Sequence, residues 1–412
     1  MAYPVDLAFS DASPTIMHLD LNSCFASVEQ QANPLLRGKP IAVAAYNSPG
    51  GCILAASIEA KTYGVKTGMR VKEGRLLCPG LIVMESDPEK YRQVHLRFRK
   101  LLSHYTNDVV PKSIDEFVLN LSDLANSGFD LEEVAREIKQ RIKNEIGDWL
   151  RVSVGIGPNR FLAKTAACLH KPDGLDTIDR SNYQSIYKKL KLTDLHGIAF
   201  HNATRLNRVG VSSVEDFAKA NIQTLHSAFG SIAGYYWYLR LRGFEIDDVE
   251  FGRKSYGNSY ALPKPFITEA ELTPILSKLI EKTAYRMRKG GYTTRGVHLA
   301  IIYRDGTYWH KGLTIPEIFA SGDIYRYIHQ FLHLSQLKKP VRNLAVSCFN
   351  LRKQGSTQLV LFENILKKKK LTRAVDRIKR RYGQYTIASA MMLPAKENIP
   401  DRIAFGGVSE LV

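Results

Sequence analysis

The chain has 412 residues, 44% hydrophobic and 24% charged, enough for two to four folded domains. No run of about 18 apolar residues exists, and Met1 to Ser10 lacks the basic start and apolar core of a secretory signal, so neither a membrane span nor export is expected. Residues 1–250 carry 30 Lys+Arg against 29 Asp+Glu, whereas residues 251–412 carry 28 against 11, and so basic a C-terminal third predicts a polyanionic partner, nucleic acid before membrane.

In chain order, Thr15 to Leu21 reads as a first strand ending at Asp20, and Asn22 to Gln30 as a helix start. Pro40 to Ala45 is a second short strand, followed by a turn over Asn47-Ser48-Pro49-Gly50-Gly51. Pro88 to Tyr105 has helical periodicity, and Val109 to Leu121 gives two strands meeting near Lys112-Ser113-Ile114-Asp115. Leu131 to Ile146 is a charged amphipathic helix, and Arg151 to Ile156 a strand that breaks at Gly157-Pro158. Strand, helix, hairpin, helix, strand predicts an α+β layer with a mostly antiparallel sheet. From about 175 to 245 the pattern is helical with short loops. Residues 247–254 form a linker, 256–350 mix a helix over Pro274 to Lys289 with strands over Val297 to Tyr303 and Leu344 to Leu351, and a basic tail follows. Cys24, Cys52, Cys78, Cys168 and Cys348 lack any CxxC spacing, which predicts reduced thiols in a cytoplasmic compartment rather than a zinc site or disulfides.

Asp20 closes one strand, and Asp115-Glu116 sit at a strand junction nearly 100 residues later. Side by side in one sheet, these strands would bring three carboxylates to one edge, a hard-oxygen set suited to magnesium and phosphoryl transfer. From spacing alone, a turn-forming Asp and a solvated Asp-Glu pair are as good a reading.

The surrounding segments decide between them. Asp20-Leu21-Asn22-Ser23-Cys24-Phe25-Ala26-Ser27-Val28-Glu29, Ser113-Ile114-Asp115-Glu116, Val152 to Asn159, Phe161-Leu162-Ala163-Lys164 and Lys171-Pro172-Asp173-Gly174 occur in that order. Together they resemble the Y-family translesion DNA polymerases, in the bacterial DNA polymerase IV and UmuC-like branch. The resemblance implies a right-hand polymerase: a palm (15–25 and 85–175, ferredoxin-like βαββαβ), small fingers (26–84), a helical thumb (176–246), an α+β little finger (255–352) and a basic tail (353–412). It implies template-directed addition of dNTPs to primer–template DNA, opposite damaged bases included. Two Mg2+ ions, with Mn2+ as a substitute, would be held by Asp20, Asp115, Glu116 and the Leu21 carbonyl. Ser23, Cys24 and Phe25 would meet the nucleotide, with Phe25 as the steric gate against a ribose 2′-hydroxyl. Lys164 falls where the family contacts the triphosphate. Family members carry Tyr-Glu-Ala-Arg in the fingers; here Ile58-Glu59-Ala60-Lys61 keeps one charge and loses a hydroxyl and a guanidinium fork.

Leu195-His196-Gly197-Ile198-Ala199 is similar to a helix-hairpin-helix, a motif that grips DNA phosphates through backbone N–H groups. Arg253, Lys254, Arg286, Arg288 and Arg295 are the expected duplex contacts of the little finger. Gln358-Leu359-Val360-Leu361-Phe362 resembles the peptide by which bacterial polymerases bind the sliding clamp, and an otherwise monomeric enzyme is expected. The rivals are a non-catalytic accessory protein of the same fold, and a nucleotide cyclase with a similar palm. Intact Asp20, Asp115 and Glu116 disfavour the first; the thumb hairpin and basic third have no use in the second. No exonuclease-like carboxylate set is present, so proofreading is not expected.

Overall fold

In the computed structural model residues 7–249, 252–353 and 365–395 are described. They belong to two compact units that divide at Val249/Glu250, inside the linker expected from sequence.

The first unit is built on a five-stranded sheet. Strand β1 (Ile16–Leu21) is followed by a helix over Cys24–Ala32, then by a small three-stranded sheet of β2 (Ile41–Ala44), β3 (Ile53–Ala56) and β4 (Ile82–Glu85). A helix over Pro88–Leu102 leads into β5 (Val109–Pro111) and β6 (Glu116–Asn120). A helix over Leu131–Arg141, continued by one π-helical turn to Ile146, precedes β7 (Val152–Gly157) and β8 (Leu175–Thr177). The order β5-β6-β1-β7-β8 is antiparallel except for the β7–β8 pair. Its first four strands have the order of a βαββαβ unit.

The helices over 88–102 and 131–141 bury Tyr91, Phe98, Leu102, Val134, Ala135 and Ile138 against Met17, Leu19, Phe117 and Leu119 of the central strands. The sheet's other side takes the helix over Arg160–Ala166, which rises directly from β7. Gly155 makes that contact possible: a Cβ there would lie 2.1 Å from the Ala163 carbonyl oxygen. Helices from Tyr183 to Arg240 form a separate helical core around Trp237, Phe217 and Tyr238.

In the second unit β9 (Ser255–Phe266), β10 (Tyr292–Tyr303), β11 (Tyr308–Ile318) and β12 (Val341–Lys353) form a sheet of order β11-β10-β12-β9. One face buries Val297, Leu299, Ile301, Leu344 and Val346 against helices over Glu269–Lys289 and Ser321–Leu334. The helix over Ile365–Tyr382 packs on this unit through its charged face, and leaves Leu371, Ile378 and Tyr382 exposed. With Val375 they share one helical face in the sequence, set among Lys and Arg. Buried ion pairs replace the apolar seam: Arg288 holds Asp376 at 2.7 and 2.8 Å, and Lys379 holds Glu281 at 2.7 Å.

Candidate active site

The register of the first sheet sets Asp20 opposite Glu116 on one side and Ser153 on the other. The Leu21 amide donates to the Asp115 carbonyl at 2.9 Å, which fixes the β5–β6 turn against the end of β1. Asn22 ties the same end down, its Oδ1 accepting from Ser153 Oγ at 3.1 Å and from the Asp173 amide at 2.7 Å. Three carboxylates thus gather at one sheet edge because a hairpin presents two of them to the strand that carries the third.

Their charges interact. Burial pushes Asp115 up to about 6, with Asp20 and Glu116 adding repulsion and a hydrogen bond from Ser113 opposing it. Lys171 Nζ lies 2.5 Å from Asp20 Oδ2, and Lys164 Nζ lies 2.9 and 2.7 Å from the two Glu116 oxygens. In this arrangement, among the described residues, no three His, Cys, Asp or Glu side chains close on a single ion position. The donor chemistry still fits divalent ions: Asp20, Asp115 and Glu116 offer three hard carboxylates at one place, and burial raises the cost of leaving the Asp115 charge without a cation.

A cleft of about 480 Å³ opens beside Asp20 and Asp115. Ile58 and Lys61 of the helix over Ile58–Thr62 form its far wall, and Ser23, Cys24 and Lys171 complete it. Desolvation and the charge of Lys171 pull Lys61 below its ordinary value, with Asp20 opposing. For Lys171 burial works downward, but Asp20, with Cys168 adding, raises it above its ordinary value. Two lysines therefore face the two carboxylates across a space that could take phosphates.

Lys164 is not there. It lines a separate cleft of about 350 Å³ with His18, Arg160, His196, Gly197 and Trp237, on the other side of Glu116. The structure thus brings Lys171, not the sequence-expected Lys164, to the cleft of Ile58 and Lys61. The helix over 160–166 packs on β1 and β7 and sets Lys164 against Glu116, whereas Lys171, beyond the end of that helix, reaches Asp20. The Lys171-Pro172-Asp173-Gly174 segment was the available signal. His18 shares the second cleft, 3.7 Å from Glu116, and among the described residues neither ring nitrogen has a hydrogen-bond partner. Burial first, then Lys164, holds its pKa well below the ordinary histidine range.

Phe25 is fully buried and stacks on Tyr91 with ring centroids 4.4 Å apart. Tyr91 is itself held by Glu29 at 2.8 Å. Cys24, not Phe25, lines the cleft; Phe25 lies one residue on, inside the core.

Gly197, at φ +92°, precedes Ala199, the N-cap of the helix over Phe200–Arg208, and this cap makes no side-chain hydrogen bond. Ile198 is buried and can offer only its backbone. In the second unit Lys254 and Arg295 are exposed, Arg253 lies over the Tyr256 ring at 4.5 Å, and Arg286 donates to Asn258 at 2.9 Å. Arg288 corrects the expectation of a DNA contact: its side chain is 7% exposed and engaged with Asp376, because it shares a helix face with Glu281 under the helix over 365–382. Gln358, Leu359, Leu361 and Phe362 lie outside the described residues.

Family profiles described as the impB/mucB/samB family and its C-terminal domain match residues 19–168 and 253–361. The chain is 35% identical over 387 residues to DNA polymerase IV of Pelotomaculum thermopropionicum, covering 92% of this chain and 95% of that one. It is 30% identical to DNA polymerase IV 1 of Bacillus subtilis, covering 94% and 95%. Among solved structures, a Y-family DNA polymerase chimera built on Dbh matches at a TM-score of 0.74 and 26% identity, over 82% of this chain and 99% of that one. An insertion ternary complex of Dbh DNA polymerase matches at 0.58 and 25%, over 82% and 99%.

Proposed function

We propose how catalysis is divided among the residues of this chain, which belongs to the impB/mucB/samB family and is a Y-family, translesion-type DNA-directed DNA polymerase. The observation that carries the assignment is the in-register pair Asp20–Glu116, with Asp115 adjacent and a lysine-lined cleft beside them. Y-family polymerases use divalent metal ions, and here Asp20, Asp115, Glu116 and the Leu21 carbonyl would hold two Mg2+. When bound, these ions lower the barrier to in-line displacement at phosphorus by stabilising the attacking and leaving oxygens. Lys61 and Lys171 bind the triphosphate of the incoming dNTP and offset charge on the departing pyrophosphate. Ile58 contributes shape only, so this chain grips the triphosphate with two point charges and no guanidinium fork.

Primer–template DNA is the partner. The uncapped helix N-terminus after Gly197-Ile198-Ala199 offers backbone N–H groups to a phosphate. In the second unit two rows cross the outer sheet face, Gly257–Ser347–His298–Gly312 and Ser259–Ala345–Ala300–His310. Six of these eight side chains are short and His298 and His310 lie together with ring centroids 5.5 Å apart, which leaves a low surface for a nucleic-acid backbone, with Lys254 and Arg295 as exposed cations.

Primer extension with Mg2+ on intact and lesion-bearing templates tests the assignment, with ribonucleotide use as the sharper readout. Phe25→Ala should admit ribonucleotides, because the family resemblance makes this ring the barrier to a 2′-hydroxyl and its stack on Tyr91 holds it in place. Relative incorporation of a ribo- and a deoxynucleotide by the variant and the parent decides it. Unchanged discrimination would transfer the gate to Cys24, which lines the cleft directly.

Gln358 to Phe362 is the proposed sliding-clamp peptide. Leu361→Ala with Phe362→Ala should lower extension with a loaded clamp to the clamp-free level, leaving clamp-free extension and thermal stability unchanged. Equal losses in both assays, with a stability loss of roughly 2–5 kcal/mol per emptied core residue, would show instead that the segment is core.

A further inference from the structure

The second unit holds a cleft that has no part in the chemistry above. It lies between the helix over Ile365–Tyr382, the C-terminal end of the helix over Glu269–Lys289 and the end of β11, with a volume of about 350 Å³. Seven Lys and Arg side chains line it against three carboxylates, Glu317, Asp323 and Asp376. All three carboxylates are engaged. Asp376 takes both arms of Arg288, Asp323 takes Lys368 at 2.5 Å as well as Arg326, and Glu317 accepts from Thr293 at 2.8 Å. Among the described residues the lining therefore carries a formal excess of four positive charges.

The arrangement of those cations is specific. Lys369, Arg373, Arg377 and Arg380 recur every three or four residues on one side of a single helix, a row about 16 Å long at ~1.5 Å per residue. The helix cannot swing away to relieve their mutual repulsion, because Arg288–Asp376 and the buried Lys379–Glu281 pair fix it to the domain. Holding Arg373, Arg377 and Arg380 beside one another costs free energy, and an anion sharing the cleft lowers that cost. A single phosphate would meet one or two of these side chains; several phosphates in line would meet all four.

We propose that this cleft is a second anion site, separate from the polymerase cleft, that binds a ligand carrying several adjacent phosphate groups. A free polyphosphate and the backbone of a single nucleic-acid strand share that chemistry.

The test uses the full chain in EDTA and inorganic tripolyphosphate, followed by titration calorimetry. Arg373→Glu with Arg377→Glu should weaken tripolyphosphate binding by about tenfold or more, and Arg373→Lys with Arg377→Lys should largely restore it. Lys61→Ala with Lys171→Ala, which alters the polymerase cleft, should leave this binding in place. Thermal unfolding confirms that the charge-reversed variant is folded, as expected for exposed positions. Binding indifferent to the charge reversal, or abolished by the Lys61 and Lys171 changes, would overturn the proposal. A short fluorescent single strand separates the two sources. If tripolyphosphate displaces it and the charge reversal weakens both, the site takes a strand; if only tripolyphosphate binding is weakened, it takes a free polyphosphate.

Discussion

Replacing Asp115 by Asn is expected to abolish primer extension and, without divalent ions, to make the protein more stable. Burial and two neighbouring carboxylates push Asp115 up to about 6, whereas an aspartate in the unfolded chain titrates near 3.9. Between those values the folded state keeps a proton that the unfolded state has released. Stability contributed by this group therefore falls as pH rises from about 4 to about 6, and the cost is complete above that range. It is on the order of 1–3 kcal/mol, after a discount for the water that still reaches the group. Asn keeps the shape without the charge and removes the cost. Thermal unfolding in EDTA should show the variant above the parent at pH 7 and level with it near pH 4, while extension falls below about 1%.

Asp20→Ala should also lose extension, but with no gain in stability, because it leaves Lys171 without its carboxylate at 2.5 Å. Both variants should hold primer–template DNA nearly as tightly as the parent, since that affinity comes from phosphate contacts elsewhere. A stabilised Asp115→Asn protein that still extends primers would remove Asp115 from the metal-binding set. An inactive but destabilised one would make it a structural residue.

What the sequence discloses depends on whether a residue's neighbour is local or distant. Asp20, Asp115 and Glu116 are legible because each sits at a strand end, and two adjacent strands leave one way for their ends to meet. The helix over 131–141 is legible from its period, but its π turn at 142–146 is not, since nothing in the apolar spacing marks the change of hydrogen bonding. Strands β9 and β11 escape periodicity for another reason. The first has Gly, Ser and Ala on its outer face, and the second is an edge strand exposed along most of its length, so neither alternates cleanly. The helix over 365–382 shows the limit of the amphipathic rule. Its apolar residues face outward because Asp376 and Lys379 find buried charges 88 and 98 positions away. Arg288 is misread for the same reason: a basic residue at a helix end is a phosphate contact until a distant acid claims it. The split between Lys164 and Lys171 also belongs here, because seven residues of helix and turn carry two lysines to opposite sides of one carboxylate pair.

That split yields a contrast of large expected effect. Lys171→Ala should raise the apparent KM for the incoming nucleotide by roughly 10- to 100-fold, the loss of one hydrogen bond to a charged oxygen at about 1.5–3 kcal/mol. Its Nζ reaches Asp20 across the cleft that also holds Lys61 and Ile58, so a triphosphate entering there would draw it from the carboxylate. With Ile58 unable to donate and Lys61 limited to a single ammonium, little else in the fingers compensates. Lys164→Ala should behave differently. Its partner is Glu116, at 2.7 Å, and its cleft belongs to His18 and His196 rather than to the fingers. Removing it should lower kcat through a misplaced Glu116 while leaving the nucleotide KM within about twofold. Steady-state extension across a range of dNTP concentrations, with each variant checked for unchanged melting, measures both quantities. The charge-retaining Lys171→Arg should recover most of the affinity, which a purely structural role for the Asp20 pair would equally allow, so KM decides and stability does not. Should Lys164→Ala be the variant that raises KM, with Lys171→Ala indifferent, the triphosphate must lie on the far side of Glu116, and the cleft of Ile58 and Lys61 would lose its assignment.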